Sequence, residues 1–426
     1  MTQPPVRLTL ATDRRERLAQ IRTCFPQASG PDLDDRWQGG RVTALQRLAT
    51  IDADAYHQTR NHLDGAATRL SPYLRHGCLS LQETVNSVRQ SAGKRGVKLI
   101  AELSYRDYFR QVWYRFGEAI KQPMESPKVA LGTQPLPDFI AQGFTGLVCM
   151  DEIVRQLRQE GYVHNHARMW FAAYVLHWLK VDWRQAADWF EQNLLDGDLA
   201  SNHLSWQWIG ASFSHKPYFF NKENIVKFGG GHWCQQCPVR CPFDASYETL
   251  HQQLFGAPPP QTGDEAAASH SAYLPVEITA QHLPLRDDSA VVWLHDEMLS
   301  PEHALLKSKA PRVFVFDPAL YGQWPLKRLQ FMADCLSEIP ETDIWLGSTA
   351  QVLASYSQRH TISQNTPNAR LKAAADDARL TWLQEPSLYD THFSDHELMR
   401  FSRYWKKVEP LVFANDDERF SNDPAA

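Results

Sequence analysis

Residues 161–210 have the sequence GYVHNHARMWFAAYVLHWLKVDWRQAADWFEQNLLDGDLASNHLSWQWIG, and this stretch decides the fold. It combines an apolar, Trp-rich background with the polar side chains of Asn165 and Arg168 and the paired acids Asp196 and Asp198. A buried polar group needs a hydrogen-bond partner, and a buried indole needs one for its N–H. Because ordinary core helices carry few such groups, the stretch predicts a pocket for a large, aromatic and polar molecule.

The composition excludes several classes of protein. With 426 residues, 43% hydrophobic and 22% charged, the chain is typical of a globular protein with at least two domains. A net charge of −5 argues against nucleic-acid binding over the whole surface but permits a local basic groove. Neither a signal-peptide pattern nor a long apolar run occurs in the sequence, so we expect a cytoplasmic protein without a membrane span.

The chain changes character after residue 255. Residues 1–255 predict helices and loops, including a long helix at 97–117, and residues 256–289 are a linker rich in Pro, Ala and Ser. In residues 290–426, apolar runs such as APRVFVFDP and TDIWLGS alternate with helical patterns, which predicts a parallel sheet covered on both faces. The predicted fold class is therefore α+β multidomain: an all-helical domain followed by a parallel-sheet α/β (Rossmann-like) domain.

A polar segment ahead of residue 72 has two interpretations. Thr68, Arg69 and Ser71 offer hydroxyls, a guanidinium and backbone N–H groups near a helix start, which suits an anion such as a phosphate. Ser71 followed by Pro72 equally fits a plain helix N-cap. Sequence patterns leave both interpretations open.

The 97–117 helix carries a second polar cluster. Glu102, Tyr105 and Arg106 stand at i, i+3 and i+4 and therefore share one face of the helix. This spacing fits a binding surface, and it also fits an ordinary surface pair of Glu102 with Arg106.

The cysteines suggest metal binding more than disulfides. Seven cysteines in a chain without an export signal make a poor disulfide framework. Cys234, Cys237 and Cys241 are close in sequence, and Cys149 can supply a fourth thiolate for an iron–sulfur cluster. Zinc with His232 in place of Cys149, and a set of free buried thiols, are the alternatives.

Five short motifs together resemble the flavin-binding half of the DNA photolyase and cryptochrome superfamily, in the same order along the chain. They are GGRVTALQRL, TRLSPYLRHGCLS, AELSYRDYFR, HNHARM and DGDLASNHLSWQW. The resemblance covers residues from about 39 to 228 and implies a helical FAD-binding domain.

The resemblance implies a set of FAD contacts, each assigned to the residue of this sequence that matches the family motif. It places Arg168 and Asp196 as a buried ion pair beside the flavin ring and Asn202 at flavin N5. The full set of implied contacts is Tyr56, Thr68, Arg69, Leu70, Ser71, Arg106, Arg168, Asp196, Asp198 and Asn202.

The resemblance also implies residues that act on a DNA lesion. Glu102 and Asn165 would hydrogen-bond pyrimidine carbonyls, while Trp208 and Tyr105 would stack on the flipped bases. Asn165 and Met169 match the pattern of enzymes for cyclobutane pyrimidine dimers. Tyr105 departs from that pattern, because those enzymes usually carry Trp there.

Trp206 and Trp183 correspond to the first two members of an electron-transfer chain. Ala130 stands where the third Trp is expected, so electrons would have to leave through another aromatic residue: Trp178, Trp189 or Trp113.

Two further features resemble parts of the superfamily. The spacing of Cys149 from the HNHARM motif is similar to that in bacterial photolyases with a [4Fe–4S] cluster, although the last Cys lies closer here. Residues 290–426 resemble the α/β antenna domain that photolyases carry at the N-terminus. The reversed order implies a circular permutation, and whether an antenna pigment binds stays open.

The leading hypothesis is a light-driven, FAD-dependent lyase that repairs cyclobutane pyrimidine dimers in UV-damaged DNA. A cryptochrome-like blue-light photosensor is the first alternative. A non-photochemical flavoprotein of the same fold is the second. The cofactor already performs the difficult chemistry in all three, so the protein groups would bind, orient and shield it.

Overall fold

The first half of the chain is helical, as predicted. The computed structural model describes residues 4–256, 281–282, 288–375 and 380–414. The α-helices of this half are α1 Arg14–Cys24, α2 Arg41–Ala49, α3 Ala53–Thr59, α4 Ser71–Arg75, α5 Leu81–Ala92, α6 Val97–Phe116 and α7 Asp138–Gln142. They continue with α8 Val148–Gln159, α9 Asn165–Ala173, α10 Trp183–Asn193, α11 Leu199–Ile209, α12 Lys222–Gly229, α13 His232–Gln236 and α14 Tyr247–Phe255. Short helical turns lie at Gly93–Gly96, Gly117–Lys121 and, as a π-helical turn, Tyr174–Trp178.

Polar residues of the quoted stretch begin its helices. His164 precedes α9 and accepts a hydrogen bond from the N–H of His166, and Asp198 precedes α11 and accepts one from the N–H of Ser201. Such caps satisfy N–H groups that the helix itself leaves unpaired. Of all described helices, including the 20-residue α6, none is both long and apolar enough to cross a bilayer.

The second half contains a sheet flanked by helices. Its strands are β1 Val6–Leu8, β2 Gln281–His282, β3 Val291–Leu294, β4 Arg312–Phe316, β5 Thr342–Leu346, β6 Thr361–Gln364 and β7 Leu380–Gln384. The helices are α15 Pro318–Tyr321, α16 Leu326–Ser337, α17 Thr349–Ser355, α18 Ala369–Ala375, α19 Asp395–Leu398 and α20 Phe401–Val412, with a 3₁₀ turn at Ala304–Lys307.

The strand order is β1-β5-β4-β3-β6-β7-β2. Strands β2 to β7 pair in parallel, whereas β1 pairs antiparallel with β5. The parallel sheet predicted for residues 290–426 is therefore confirmed, and the antiparallel edge strand is added to it by residues 6–8. The order runs outward in both directions from β3, which is the arrangement of doubly wound α/β folds.

Two elements pack against the half of the molecule to which they do not belong in sequence. Strand β1 comes from residues predicted to be helices and loops, yet it belongs to the sheet of the second half. Helix α20 comes from the second half, and its Tyr404 and Val408 are buried in one core with residues of α6. Residues 256–289, the predicted linker, lie largely outside the described residues. The two halves are thus interlocked, because each supplies an element to the other.

Candidate functional site

The loop between α10 and α11 contains the two predicted carboxylates. Arg168 on α9 donates from Nη2 to both carboxylate oxygens of Asp196, at 3.1 and 2.8 Å, and from Nε to the carbonyl oxygen of Val163 at 2.8 Å. The Asp196 side chain is 4% exposed and that of Arg168 is 24% exposed. The structure therefore brings this predicted pair together in a largely buried position.

Asp198 is the second carboxylate of this loop. Arg106 on α6 approaches it with Nη2 at 3.4 Å, and the N–H of Ser201 donates to it at 2.9 Å. Burial alone would raise the pKa of Asp198, but Arg106, Arg75 and the Ser201 hydrogen bond hold it well below its usual value. Asp198 is thus ionised at neutral pH. The alternative pairing of Arg106 with Glu102 is wrong, because Arg106 turns to Asp198.

Asn202 follows one turn into α11. Its Nδ2 donates to the carbonyl oxygen of Ala187 at 2.9 Å, which holds the amide in one orientation. Tyr162, which sequence reasoning missed, lies with its ring 5.6 Å from the Arg168 guanidinium. Burial raises the Tyr162 pKa, and Arg168, Asp196 and Arg69 are its charged neighbours. The only signal for Tyr162 was its position inside the quoted stretch.

The segment before α4 has a backbone suited to anions. Arg69 has a left-handed φ of 53°, and Leu70 follows with φ −85° and ψ −13°. Alternating left- and right-handed residues form a concave nest of N–H groups. Leu70, not Ser71, occupies the cap position of α4, and no side chain caps this helix. The plain N-cap interpretation of Ser71 is therefore wrong, whereas Thr68 only accepts from the N–H of Leu70 at 3.4 Å.

Arg69 of the nest and Arg168, which pairs with the acidic loop of Asp196, Gly197 and Asp198, both act on His164 through their charges. Burial and the charges of His166, Arg168 and Arg69 together lower the pKa of His164 to about 4. Arg69 and Arg168 therefore share one neighbour. Burial and the nearby Glu102 carboxylate raise the pKa of Tyr56.

Two residues predicted to contact a lesion, Glu102 and Tyr105, interact with other residues of this chain. Lys98 Nζ lies 2.7 Å from a Glu102 carboxylate oxygen, and Arg60 Nε lies 3.6 Å from it. The ring of Tyr105 stacks on Phe401 of α20, with centroids 3.5 Å apart and planes 12° apart.

Trp208 and Asn165 are more accessible. Trp208 is 42% exposed, and its ring lies 5.8 Å from that of Tyr218. Asn165 is exposed at the first position of α9. The two predicted stacking residues thus differ: Trp208 is open to solvent and Tyr105 is covered.

The predicted electron-transfer residues are buried. Trp206 makes an edge-to-face contact with Phe190 at 5.9 Å, and Trp183 contacts His203 at 6.0 Å. Trp189, a candidate for the missing third position, lies 6.4 Å from Phe190. The electron-transfer role of these indoles stays a prediction.

The four predicted cysteine ligands line one cavity of about 280 Å³. They are Cys149, Cys234, Cys237 and Cys241. Burial and the other three cysteines raise the pKa of Cys149 to about 12. In the part of the chain that the structure describes, no three His, Cys, Asp or Glu side chains are close enough to hold a single metal ion. His232 is exposed and does not line the cavity.

The residues present suit a flavin dinucleotide. The nest at Arg69 and Leu70 offers N–H groups and a cation for a diphosphate. The buried pair of Arg168 and Asp196 places charge where a polar ring edge can use it, and the fixed amide of Asn202 adds a donor and an acceptor. The donor set therefore fits FAD.

Comparison with known proteins finds relatives of part of the helical half. Residues 99–232 match the family described as the FAD binding domain of DNA photolyase. The deoxyribodipyrimidine photo-lyase of Streptomyces griseus is 36% identical over 178 residues, which cover 41% of this chain and 39% of that protein. Cryptochrome DASH of Xenopus laevis is 31% identical over 232 residues, which cover 51% of this chain and 42% of that protein.

Solved structures of similar proteins include a cryptochrome from Synechocystis, with a TM-score of 0.44 and 27% identity over 50% of this chain and 48% of that chain. A class III photolyase from Agrobacterium tumefaciens has a TM-score of 0.42 and 25% identity over 57% of this chain and 53% of that chain. The matched segments span less than half of the two curated relatives. Residues 99–232 of this chain are therefore similar to the FAD-binding domain of DNA photolyase, and this match covers less than half of the chain.

Proposed function

We propose that this chain is a light-driven, FAD-dependent lyase that splits cyclobutane pyrimidine dimers in UV-damaged DNA. The observation that carries the proposal is the buried pair of Arg168 and Asp196, next to Asp198 and Arg106, inside the matched FAD-binding domain. The open indole of Trp208 supports a base-stacking role at the same site.

Each group has a defined task in this proposal. When bound, a photoexcited reduced flavin would lend one electron to the dimer, and the electron would return to the flavin after the cyclobutane ring has opened, so that the overall reaction is redox-neutral. Arg69 and the adjacent nest hold the diphosphate, and Arg168 with Asp196 orients the ring system. Trp208 stacks on the extruded base, and Asn165 hydrogen-bonds its carbonyl groups.

Dimer repair under blue light tests the proposal. Reduced protein is mixed with an oligonucleotide that contains one thymine dimer, and intact thymine is measured with and without illumination. We expect repair in the light only, with flavin bound to the purified protein. A protein that holds flavin but leaves the dimer unchanged would refute the lyase proposal.

A photosensor is the second candidate. Phe401 covers the ring of Tyr105, and Lys98 and Arg60 pair with Glu102, so two groups expected to face a lesion are already engaged. Flavin photoreduction without dimer repair would favour this candidate. Repair at a rate that follows the absorbed light would favour the lyase.

We also propose that Cys149, Cys234, Cys237 and Cys241 hold a [4Fe–4S] cluster. Their position around one cavity supports this set, since a four-iron cluster needs more room than a single ion. Protein purified without oxygen should contain about four irons and four sulfides per chain, a count that follows from the cluster formula. Cys149→Ala should lose the iron, whereas His232→Ala should keep it. Zinc that is lost from His232→Ala would support the alternative site instead.

A further inference from the structure

Gly197 lies between the two carboxylates of the flavin site and is held from two sides. Its carbonyl oxygen accepts a hydrogen bond from Arg75 Nε at 2.6 Å and one from Arg328 Nη2 at 2.6 Å. Because Asp196 and Asp198 are its direct neighbours, any movement of this peptide moves both carboxylates. The position of the acidic loop therefore depends on two arginines outside it.

Arg328 comes from the other half of the molecule. It lies on α16, is 1% exposed, and places its guanidinium 3.5 Å from the centroid of the Trp324 ring. A Cβ added to Gly197 would lie 2.5 Å from Arg328 Nη1 and 2.5 Å from the carbonyl oxygen of Glu191. No larger residue fits at position 197 while Arg328 keeps this place.

Arg75 connects the same loop to the sheet. Its Nη2 donates to the Asp296 carboxylate at 2.7 Å, and both side chains are buried. Asp296 follows strand β3, and Tyr321 donates to its other carboxylate oxygen at 3.2 Å. A continuous path of hydrogen bonds thus runs from the end of β3 through Arg75 to Gly197.

The burial of Arg328 is costly for folding. Its hydrogen-bond acceptor is a neutral carbonyl, and its Nε has no partner within the described part of the chain. Burial and the charge of Arg75 lower the pKa of Arg328 to about 9, so it is still a cation at neutral pH. Apolar side chains of similar volume often replace buried charges without loss of stability. The charge of Arg328 is partly compensated by the nearby carboxylates of Glu191, Asp296 and Asp196.

We propose that Arg328 is a positioning residue of the flavin site, which fixes the loop of Asp196, Gly197 and Asp198 together with Arg75. The α/β half thereby completes a site whose flavin-contacting residues all come from the helical half. The consequence for flavin rests on the proposed function, whereas the anchoring of the loop rests on the contacts alone.

Arg328→Met in the full chain tests this. Hydrogen–deuterium exchange is measured on peptides covering residues 194–199, where the N–H of Leu195 donates to Gly161 and that of Gly197 to Leu194. Loss of a hydrogen bond from a charged donor should speed exchange there by about tenfold or more. Flavin content should fall and the reduction potential of bound flavin should shift. Arg328→Lys should restore part of each effect.

Arg312→Met is the control, because Arg312 lies in the same half and likewise donates to backbone carbonyls, those of Pro340 and Leu306. It should change neither the loop exchange nor the flavin. If Arg328→Met does not fold, Asp296→Asn loosens Arg75 and should speed the same peptides to a smaller extent.

The outcomes distinguish the anchoring of the acidic loop from its consequence for flavin. Unchanged exchange at 194–199, or equal acceleration over the whole chain, overturns the anchoring role. Local acceleration in Arg328→Met, when the unaltered chain also binds no flavin, supports the anchoring and overturns the proposed function. Local acceleration with unchanged flavin content and potential overturns the positioning role.

Discussion

The acidic loop and the α6 face that carries Glu102 and Tyr105 differ in the partners of their polar side chains. At the loop, Asp196 and Asp198 pair with Arg168 and Arg106, which the family resemblance also assigns to the flavin. On the α6 face, Glu102 pairs with Lys98 and Arg60, and Phe401 covers Tyr105.

The difference shows which part of the site is already organised. The pairs at the loop place charges where a cofactor can use them, and burial makes each pair depend on both partners. The groups on α6 must first exchange an internal partner for a ligand. Under the proposed function, cofactor binding would need little rearrangement, whereas contact of a lesion with the Tyr105 ring would require Phe401 of α20 to move.

Loss of the Asp196 carboxylate at the acidic loop should cause the largest change in the free energy of unfolding. Asp196→Asn leaves the Arg168 cation, which is 24% exposed, without a carboxylate, so the free energy of unfolding should fall by about 1–3 kcal/mol in denaturant titrations. Glu152→Gln is the control, because Glu152 is 25% exposed and its partner Arg155 44% exposed, and such a pair contributes less than about 1 kcal/mol. Equal losses in both variants would contradict the contrast between buried and exposed pairs.

A fall in pH should lower the stability of the folded chain, because His164 binds a proton more readily when the chain is unfolded. Its pKa is about 4 in the folded chain and about 6.5 when unfolded, so the unfolded chain binds a proton first as the pH falls. Stability from this group is complete above pH ~6.5 and is lost between pH ~6.5 and ~4, by up to about 1.4 kcal/mol per pH unit.

His164→Asn keeps a side-chain acceptor at the cap of α9 and removes the titrating group. The variant should show a flatter dependence of the unfolding free energy on pH over this window. The same slope in both proteins would show that His164 is not the group responsible.

Replacement of the exposed Trp208 should change the affinity for DNA and leave stability unchanged. Trp208→Ala should weaken affinity for dimer-containing DNA by about tenfold or more, since a stacked base contributes about 1–3 kcal/mol. Phe144→Ala removes an aromatic ring that is 72% exposed and should leave the affinity unchanged. Fluorescence anisotropy measures both, and equal losses would show that Trp208 has no specific role.

Phe401→Ala tests the covered ring and should have the smallest effect. It exposes the face of Tyr105, so affinity for dimer-containing DNA should rise by a few-fold, at a cost of about 1–2 kcal/mol in stability for a half-buried ring. Trp405→Ala removes the next ring on the same face of α20 and is the control. Unchanged affinity after Phe401→Ala would show that Tyr105 does not contact DNA.

Local features of the structure could be predicted from the sequence. Periodicity predicted α6, and APRVFVFDP predicted β4, because one helical turn or one strand carries its own pattern of apolar residues. Strand β6 was missed because its sequence TISQ has no apolar run, and β1 because VRL is too short.

The sequence by itself determined the helices, the acidic loop, the grouped cysteines and the pair of Arg168 with Asp196, through motifs that resemble a known family. Only the tertiary structure decided that Arg106 turns to Asp198, 92 residues away, and that Phe401 covers Tyr105. It also decided that Arg328 reaches Gly197 across 131 residues. Spacing patterns extend over one or two helical turns, whereas these contacts depend on how distant helices and the sheet pack together.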